Sequence, residues 1–295
     1  MQYRRAESLL EYRSKQLLRN LTKGEKKKYL ANKEEHRKAV LSEILSDDSQ
    51  MQRFAFTLET LWEKDGFPAY YVTPEILEIL STSKFDVAAN EVRLPHRVVS
   101  ICLPDTYKLP PFTFSLCSFD KDYSPTFESL ANTLGVKVQI VNRDSAPDDR
   151  LVSVMMWSKC GKYSQLILPS NKCYRDTIDT WMETNLDLTG GNPDEQKQCI
   201  LLGLKIAAYL QAFPNALIPG VPNSNQLQQK PTGSSFCVGI PEEHRNTPIS
   251  HLRSGHFRCL RHERFKRDAN GNMRIVWVSP SIIGDLSPYH VQPAS

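Results

Sequence analysis

The sequence predicts an α+β protein, an antiparallel sheet packed with helices, and three observations carry that expectation. Apolar residues recur at three- and four-residue steps through the first eighty positions, the period falls to two from Val98 onward, and helical spacing returns before the chain closes on a basic hairpin. With 295 residues, 40% of them hydrophobic, the chain can bury one large core. The expected organisation is a cationic helical N-terminal extension over 1–48 and a single α+β domain over 49–295.

From Arg4 to Leu45 the pattern is helical. Leu9, Leu10, Tyr12, Leu17, Leu18 and Leu21 recur among charges, and Thr22 with Glu25 three residues on has the form of a capping box that restarts a second helix. A third helix is expected from about Ser49 to Lys64, with Phe54, Leu58, Leu61 and Trp62 on one face and Gly66 as its stop. Thr73-Pro74-Glu75 sets an N-cap before a proline in the first helical position and opens a short apolar helix.

Segments 98–103, 112–119, 136–141, 151–157 and 165–168 are rich in β-branched and aromatic residues and are separated by Pro, Asp, Asn and Gly, as strands of an antiparallel sheet would be. A helix entered at Ser124-Pro125 interrupts them, and two more follow at about 174–186 and 194–213. The last is apolar nearly all round (Ile200, Leu202, Leu204, Ile206, Leu210), the pattern of a helix buried in a core. The stretch 214–250 holds Pro214, Pro219, Pro222, Pro231, Pro241 and Pro248 and reads as an extended, poorly regular loop. The basic hairpin, 251–280, is expected to pair 256–265 with 273–278 across a turn containing Gly271.

Charge is unevenly spread. The net +4 conceals 12 Lys/Arg against 5 Asp/Glu in residues 1–38 and 8 against 2 in residues 245–274, so the middle of the chain is acidic. Two cationic ends steer an acidic partner, nucleic acid or polypeptide, toward themselves. The 7 cysteines are odd in number, irregularly spaced and without a CxxC pair, which points to reduced thiols rather than a disulfide framework or a zinc ribbon. The N-terminus lacks the apolar core of a secretory signal, and no run approaches the roughly 18 apolar residues that span a bilayer. A cytoplasmic location in a bacterial host, with no membrane partner, is expected. The phosphate-loop, nucleophile-elbow, zincin and dinucleotide motifs are missing, so no cofactor is expected.

Three constellations invite a functional reading. Arg253, Arg258, Arg261, Arg264, Lys266 and Arg267 are interleaved with Phe257 and Phe265. Guanidinium groups grip phosphate or carboxylate in pairs of bonds and aromatic faces stack, so the segment suits a binding face; it equally suits a sheet edge protected by charge. His256 and His262, with Arg258 or Arg261 to stabilise a phosphorane, could serve a small ribonuclease, which needs two groups titrating near neutrality and a cation. Zinc at His251, His256, Cys259 and His262 is disfavoured, because strand alternation turns Cys259 away from the histidines. Finally, Lys23, Lys26, Lys27 and Lys28 could lie along RNA phosphates or simply form a solvated face.

Arg253-Ser-Gly255-His256-Phe257-Arg258, a basic turn, then Arg274-Ile-Val-Trp277-Val-Ser-Pro280 resembles the C-terminal signature of the phage and plasmid family that includes the second type V-A anti-CRISPR protein. The resemblance extends more loosely to Leu94-Pro95 with the strand that follows and to the apolar helix with its proline-rich loop. It implies a non-hydrolytic regulator that recognises a nascent polypeptide of a CRISPR effector or another host protein, at the ribosome and its mRNA, and brings about loss of the message. The residues matched to the signature are Arg253, Gly255, His256, Trp277 and Pro280. The cationic pair of N-terminal helices has no counterpart in that resemblance. A plain nucleic-acid-binding accessory protein of a phage or plasmid is the third reading.

Overall fold

A computed structural model of the chain describes residues 1–32, 35–36, 38–40, 43, 50–85, 87, 91–133, 150–156, 162–168, 193–222, 227, 233–240, 255–262, 264–268 and 271–278. Its elements run β1 (Tyr3–Arg4), α1 (Leu9–Arg19), α2 (Lys23–Ala31), α3 (Gln50–Lys64), β2 (Ala69–Val72), α4 (Pro74–Thr82), β3 (Val98–Pro104), β4 (Phe112–Ser118), α5 (Ser124–Thr133), β5 (Arg150–Met156), β6 (Lys162–Leu168), α6 (Pro193–Ala212), β7 (Leu217–Pro219), β8 (Ser235–Val238), β9 (His256–Cys259) and β10 (Ile275–Val278). The fold is α+β. The strand at 136–141 and the helix at 174–186 expected from the sequence lie outside the described residues.

The main sheet has the order β6-β5-β4-β3-β2-β8-β7. Strands β3 to β6 are antiparallel, as the period-two segments predict, with Phe114 opposite Val99 on one side and Val154 on the other. The sheet as a whole is mixed. Strand β2, Ala-Tyr-Tyr-Val, runs parallel to both β3 and β8, and the four-residue segment is too short for its alternation to be seen in sequence. The proline-rich stretch is correspondingly more regular than its composition suggests, since it supplies β7 and β8, and Pro219 is tolerated because β7 is the edge.

Alternation on β3 divides the core in two. Val99, Ile101 and Leu103 face α4 and α6, whereas Val98 shares the other face with residues of α1, α3 and the segment leading into α5. Helices on both faces explain why all seven residues of β3 and all seven of β4 are buried. Helix α6 lies so close to the sheet that a Cβ on Gly203 would stand 2.4 Å from Phe114 Cδ2. Burial of Phe112, Phe114, Leu204 and Ile206 stabilises by roughly 1.5–3 kcal/mol per side chain. The charged Lys205 is nevertheless buried on α6, its Nζ donating to the Leu80 carbonyl near the C-terminus of α4 at 2.7 Å, where the helix dipole favours a cation.

The stretch read as an N-terminal extension contributes to both layers. Strand β1 pairs with the end of β3, Tyr3 opposite Pro104, in the lane that β2 leaves when it turns into α4. Leu9 and Val40 are buried in the α1–α3 cluster. Helix α1 is capped twice: Ser8 and Glu11 form the reciprocal box, and the buried carboxylate of Glu59 on α3 accepts the N–H groups of Leu9 at 2.6 Å and Leu10 at 3.3 Å. Helix α2 has the predicted Thr22–Glu25 capping box and buries no residue.

Candidate functional site

The C-terminal hairpin is present, shorter than its sequence pattern suggests. Strands β9 and β10 pair Trp277 with Phe257 and Val276 with Arg258, and beyond β9 the Asp268 N–H donates to the Asn272 carbonyl at 3.0 Å in a turn. In that turn Gly271 takes φ +79°, a conformation that favours glycine, and the Asn272 N–H donates to Asp268 Oδ1 at 2.8 Å.

Strand alternation gives the hairpin two faces. One is Gly255, Phe257 and Cys259 with Trp277 and Ile275, and it packs on the main core. Phe257 is 2% exposed, with its ring 4.9 Å from that of Trp277 and 6.4 Å from Phe85. The Gly255 carbonyl accepts the Lys84 N–H at 3.1 Å, tying the hairpin to the end of α4. Burial, with Glu91 beside it, pushes the Cys259 thiol up to about 12. Such a thiol stays protonated, which suits packing better than metal ligation. Among the described residues no three His, Cys, Asp or Glu side chains are grouped as metal ligands would be.

The other face and the connection carry the charge. Arg258, Arg264, Lys266, Arg267 and Arg274 are exposed. Arg264 lies over the Phe265 ring at 4.8 Å, a cation–π contact. Arg261 is committed elsewhere: its Nε and one terminal nitrogen donate to the two oxygens of buried Glu91 at 2.7 and 2.9 Å. Arg253 and Pro280 lie outside the described residues. His256 stands in β9, half-buried, while His262 is exposed in the connection and its Nδ1 accepts the Arg264 N–H at 3.2 Å. No hydrogen bond joins the two histidines.

On α2, Lys23, Lys27 and Lys28 are exposed and Lys26 half-buried, and Tyr29 and Leu30 of the same helix wall a cavity of about 360 Å³ between α1, α2 and α3. Its lining includes Arg5, Leu10, Glu11, Leu18, His36, Glu59, Trp62 and Phe67. Arg5 and Glu11 form a two-pronged ion pair; burial opposes ionisation of Glu11, but Arg5 overrides it and holds the carboxyl below its usual range. Glu59 pairs with no cation among the described residues, and burial pushes its carboxyl up to about 7 despite the two helix N–H groups. Sequence reasoning passed over this cavity. The available signal was Glu59 itself, an acid set between Leu58, Leu61 and Trp62 on the helix face that must be buried.

Comparison with protein-family models, curated proteins and solved structures found no match to the chain. Among the described residues no helix is long and apolar enough to cross a membrane.

Proposed function

We propose that this chain acts by binding: a regulator carried by a mobile element that engages a nascent polypeptide and its message at the bacterial ribosome and lowers expression of a host defence effector. The observation that supports the reading is the division of the hairpin, whose aromatic face is anchored to the core while Arg258, Lys266, Arg267 and Arg274 make no ion pair among the described residues. Unpaired exposed cations on an anchored scaffold suit RNA phosphate, which surrounds any nascent chain and its message. The nascent-chain target and the loss of message come from the family resemblance. A ribonuclease reading has less support, because among the described residues no hydrogen bond joins His256 to His262 and His262 Nδ1 already accepts the Arg264 N–H.

The test is capture of tagged protein from a translating bacterial lysate, with and without puromycin, with sequencing of the bound RNA. One enriched message, released by puromycin, is the expected result. RNA that stays bound after puromycin with no message preferred would overturn the nascent-chain reading. With purified single-stranded RNA, four phosphate contacts give a log–log salt slope of about −3, and changing the four cations to Ala flattens it.

A further inference from the structure

The cavity between α1, α2 and α3 is mostly apolar in lining, yet several of its polar groups are unsatisfied. Arg5 Nε, Tyr29 Oη and His36 Nε2, on side chains that line it, are shielded from water and have no hydrogen-bond partner among the described residues. Each such group costs roughly 1–3 kcal/mol while it lacks a partner. Three around one cavity are explained if a ligand supplies acceptors there, reached by small side-chain rotations.

The walls select the ligand's shape. Tyr29 and His36 are stacked on one another and Trp62 meets Phe67 edge to face at 5.2 Å, so aromatic side chains from three parts of the chain border the cavity. The indole N–H of Trp62 is already spent on the Pro68 carbonyl at 3.0 Å, so its contribution to a ligand is its apolar surface. Leu10, Leu18 and Leu30 complete the apolar lining, and Leu30 is 56% exposed. A volume of 360 Å³ is near the lower end of the ~300–1,000 Å³ of small-ligand sites, enough for one base or nucleoside rather than a dinucleotide.

Phe67 is held in place at a cost. Helix α3 ends in a Schellman motif, the Phe67 N–H donating to the Trp62 carbonyl and that of Gly66 to Glu63. Gly66 at φ +81° is ordinary there, but Phe67 at φ +52° is the one non-glycine residue with positive φ among those described. A bulky residue rarely adopts that conformation, and such strain persists where surrounding contacts enforce it, often at ligand sites. Here the enforcing contact is the 233–234 turn: the Ser234 N–H donates to the Gly66 carbonyl at 2.9 Å, and a Cβ on Gly233 would stand 2.2 Å from that oxygen.

Charge names the surroundings of the ligand. Helix α2 places Lys23, Lys26, Lys27 and Lys28 within two turns of the cavity-lining Tyr29 and Leu30, while the cavity's own Arg5 and Glu11 cancel. We propose that this cavity is a nucleobase pocket: it takes one unstacked base, whose ring carbonyl or nitrogen acceptors meet Arg5, Tyr29 and His36, and the lysines of α2 hold the attached phosphate. The chemistry is shared by a free nucleotide and by a base in single-stranded RNA. It rests on the RNA-binding part of the function proposed above and adds a second contact far along the sequence from the hairpin.

The full-length chain is titrated with nucleoside monophosphates, with an eight-nucleotide single-stranded RNA, and with the abasic sugar–phosphate of the same length. The variants are Tyr29→Phe, His36→Ala and a hairpin variant with Arg258, Lys266, Arg267 and Arg274 changed to Ala; thermal melting confirms that each is folded. RNA is expected to bind roughly five- to a hundredfold more tightly than the abasic chain, the worth of one base stack; His36→Ala is expected to remove most of that difference and Tyr29→Phe, which keeps the ring and loses the donor, part of it. Saturable binding of a monophosphate, lost in His36→Ala and weakened in Tyr29→Phe, identifies a free nucleotide as the source and supports the pocket equally. Equal affinity for RNA and abasic chain together with no binding of any monophosphate overturns it. The hairpin variant separates the two ideas: if it alone abolishes RNA binding while base and abasic chains behave alike, the hairpin interface stands and the pocket falls.

Discussion

Trp277 lies directly over Gly255. A Cβ on that glycine would stand 2.1 Å from Trp277 Cζ2 and 2.4 Å from Cη2, so the strand that carries Phe257 into the core can approach its neighbour only because residue 255 has no side chain. Gly255 and Trp277 are therefore placed to hold the hairpin on the body.

Gly255→Ala should displace the indole and loosen the hairpin. A loss of about 1–3 kcal/mol in urea unfolding is expected, the usual cost of overpacking, with a shift in tryptophan emission. Arg258→Ala, on the exposed face of the same strand, should leave the midpoint unchanged while weakening RNA binding. Equal midpoints for Gly255→Ala and the wild type would contradict the packing role.

Arg261 is the cation that Glu91 pairs with. The carboxylate is 7% exposed at the side chain and accepts both prongs of the guanidinium. Because Arg261 itself is 59% exposed, solvent screens the pair, and Arg261→Ala should cost about 1–2 kcal/mol rather than the full penalty of a buried charge. Adding Glu91→Gln should recover part of that loss in a double-mutant cycle.

Glu59 makes stability fall as pH rises. Its carboxyl titrates near 7 in the fold and near ~4.3 unfolded, so the native state holds the proton longer. Its favourable contribution is complete below about pH 4 and is lost progressively up to pH 7, for a total on the order of 3 kcal/mol. Glu59→Gln should remove this component, so that the difference in unfolding free energy between variant and wild type changes between about pH 4 and pH 7. A difference independent of pH would show that Glu59 is ionised throughout.

Lys205 has the opposite slope. Burial lowers its amine to about 8, below the unfolded value, so this contribution to stability rises as pH climbs from 8 toward ~10.5. In Lys205→Met the Leu80 carbonyl keeps the Ser83 hydroxyl as a donor at 2.9 Å, so no acceptor is orphaned. The variant should match or exceed wild-type stability at pH 7, by up to about 1 kcal/mol, and lose the alkaline slope in the same urea titrations.

The local elements were readable where a single segment carries its own signal. The capping box at Thr22–Glu25, the Thr73-Pro74 helix start, the antiparallel run β3 to β6 and the apolar α6 all follow from spacing, because each is decided by neighbours within a few residues. The parallel strands β2 and β8 were not readable. Four buried residues between loops show no period, and they become strands by pairing with each other more than 160 positions apart in the chain, Ala69 opposite Ser235.

The candidate sites divide in the same way. The cationic character of residues 245–274 is in the sequence, since charge is additive and needs no fold. Which cations remain available was decided by tertiary structure: Arg261 is taken by Glu91, 170 residues earlier, while Arg258 is left outside by its register opposite Val276. The cavity belongs wholly to the tertiary level. Arg5, Tyr29, His36, Glu59 and Phe67 form no motif, and three helices crossing on the sheet, with the strained backbone at Phe67, gather them into one wall. Composition and periodicity determined what this chain could bury and how it is charged, because both are local sums. The fold alone decided which groups meet, because meeting depends on pairings between distant segments that no local pattern encodes.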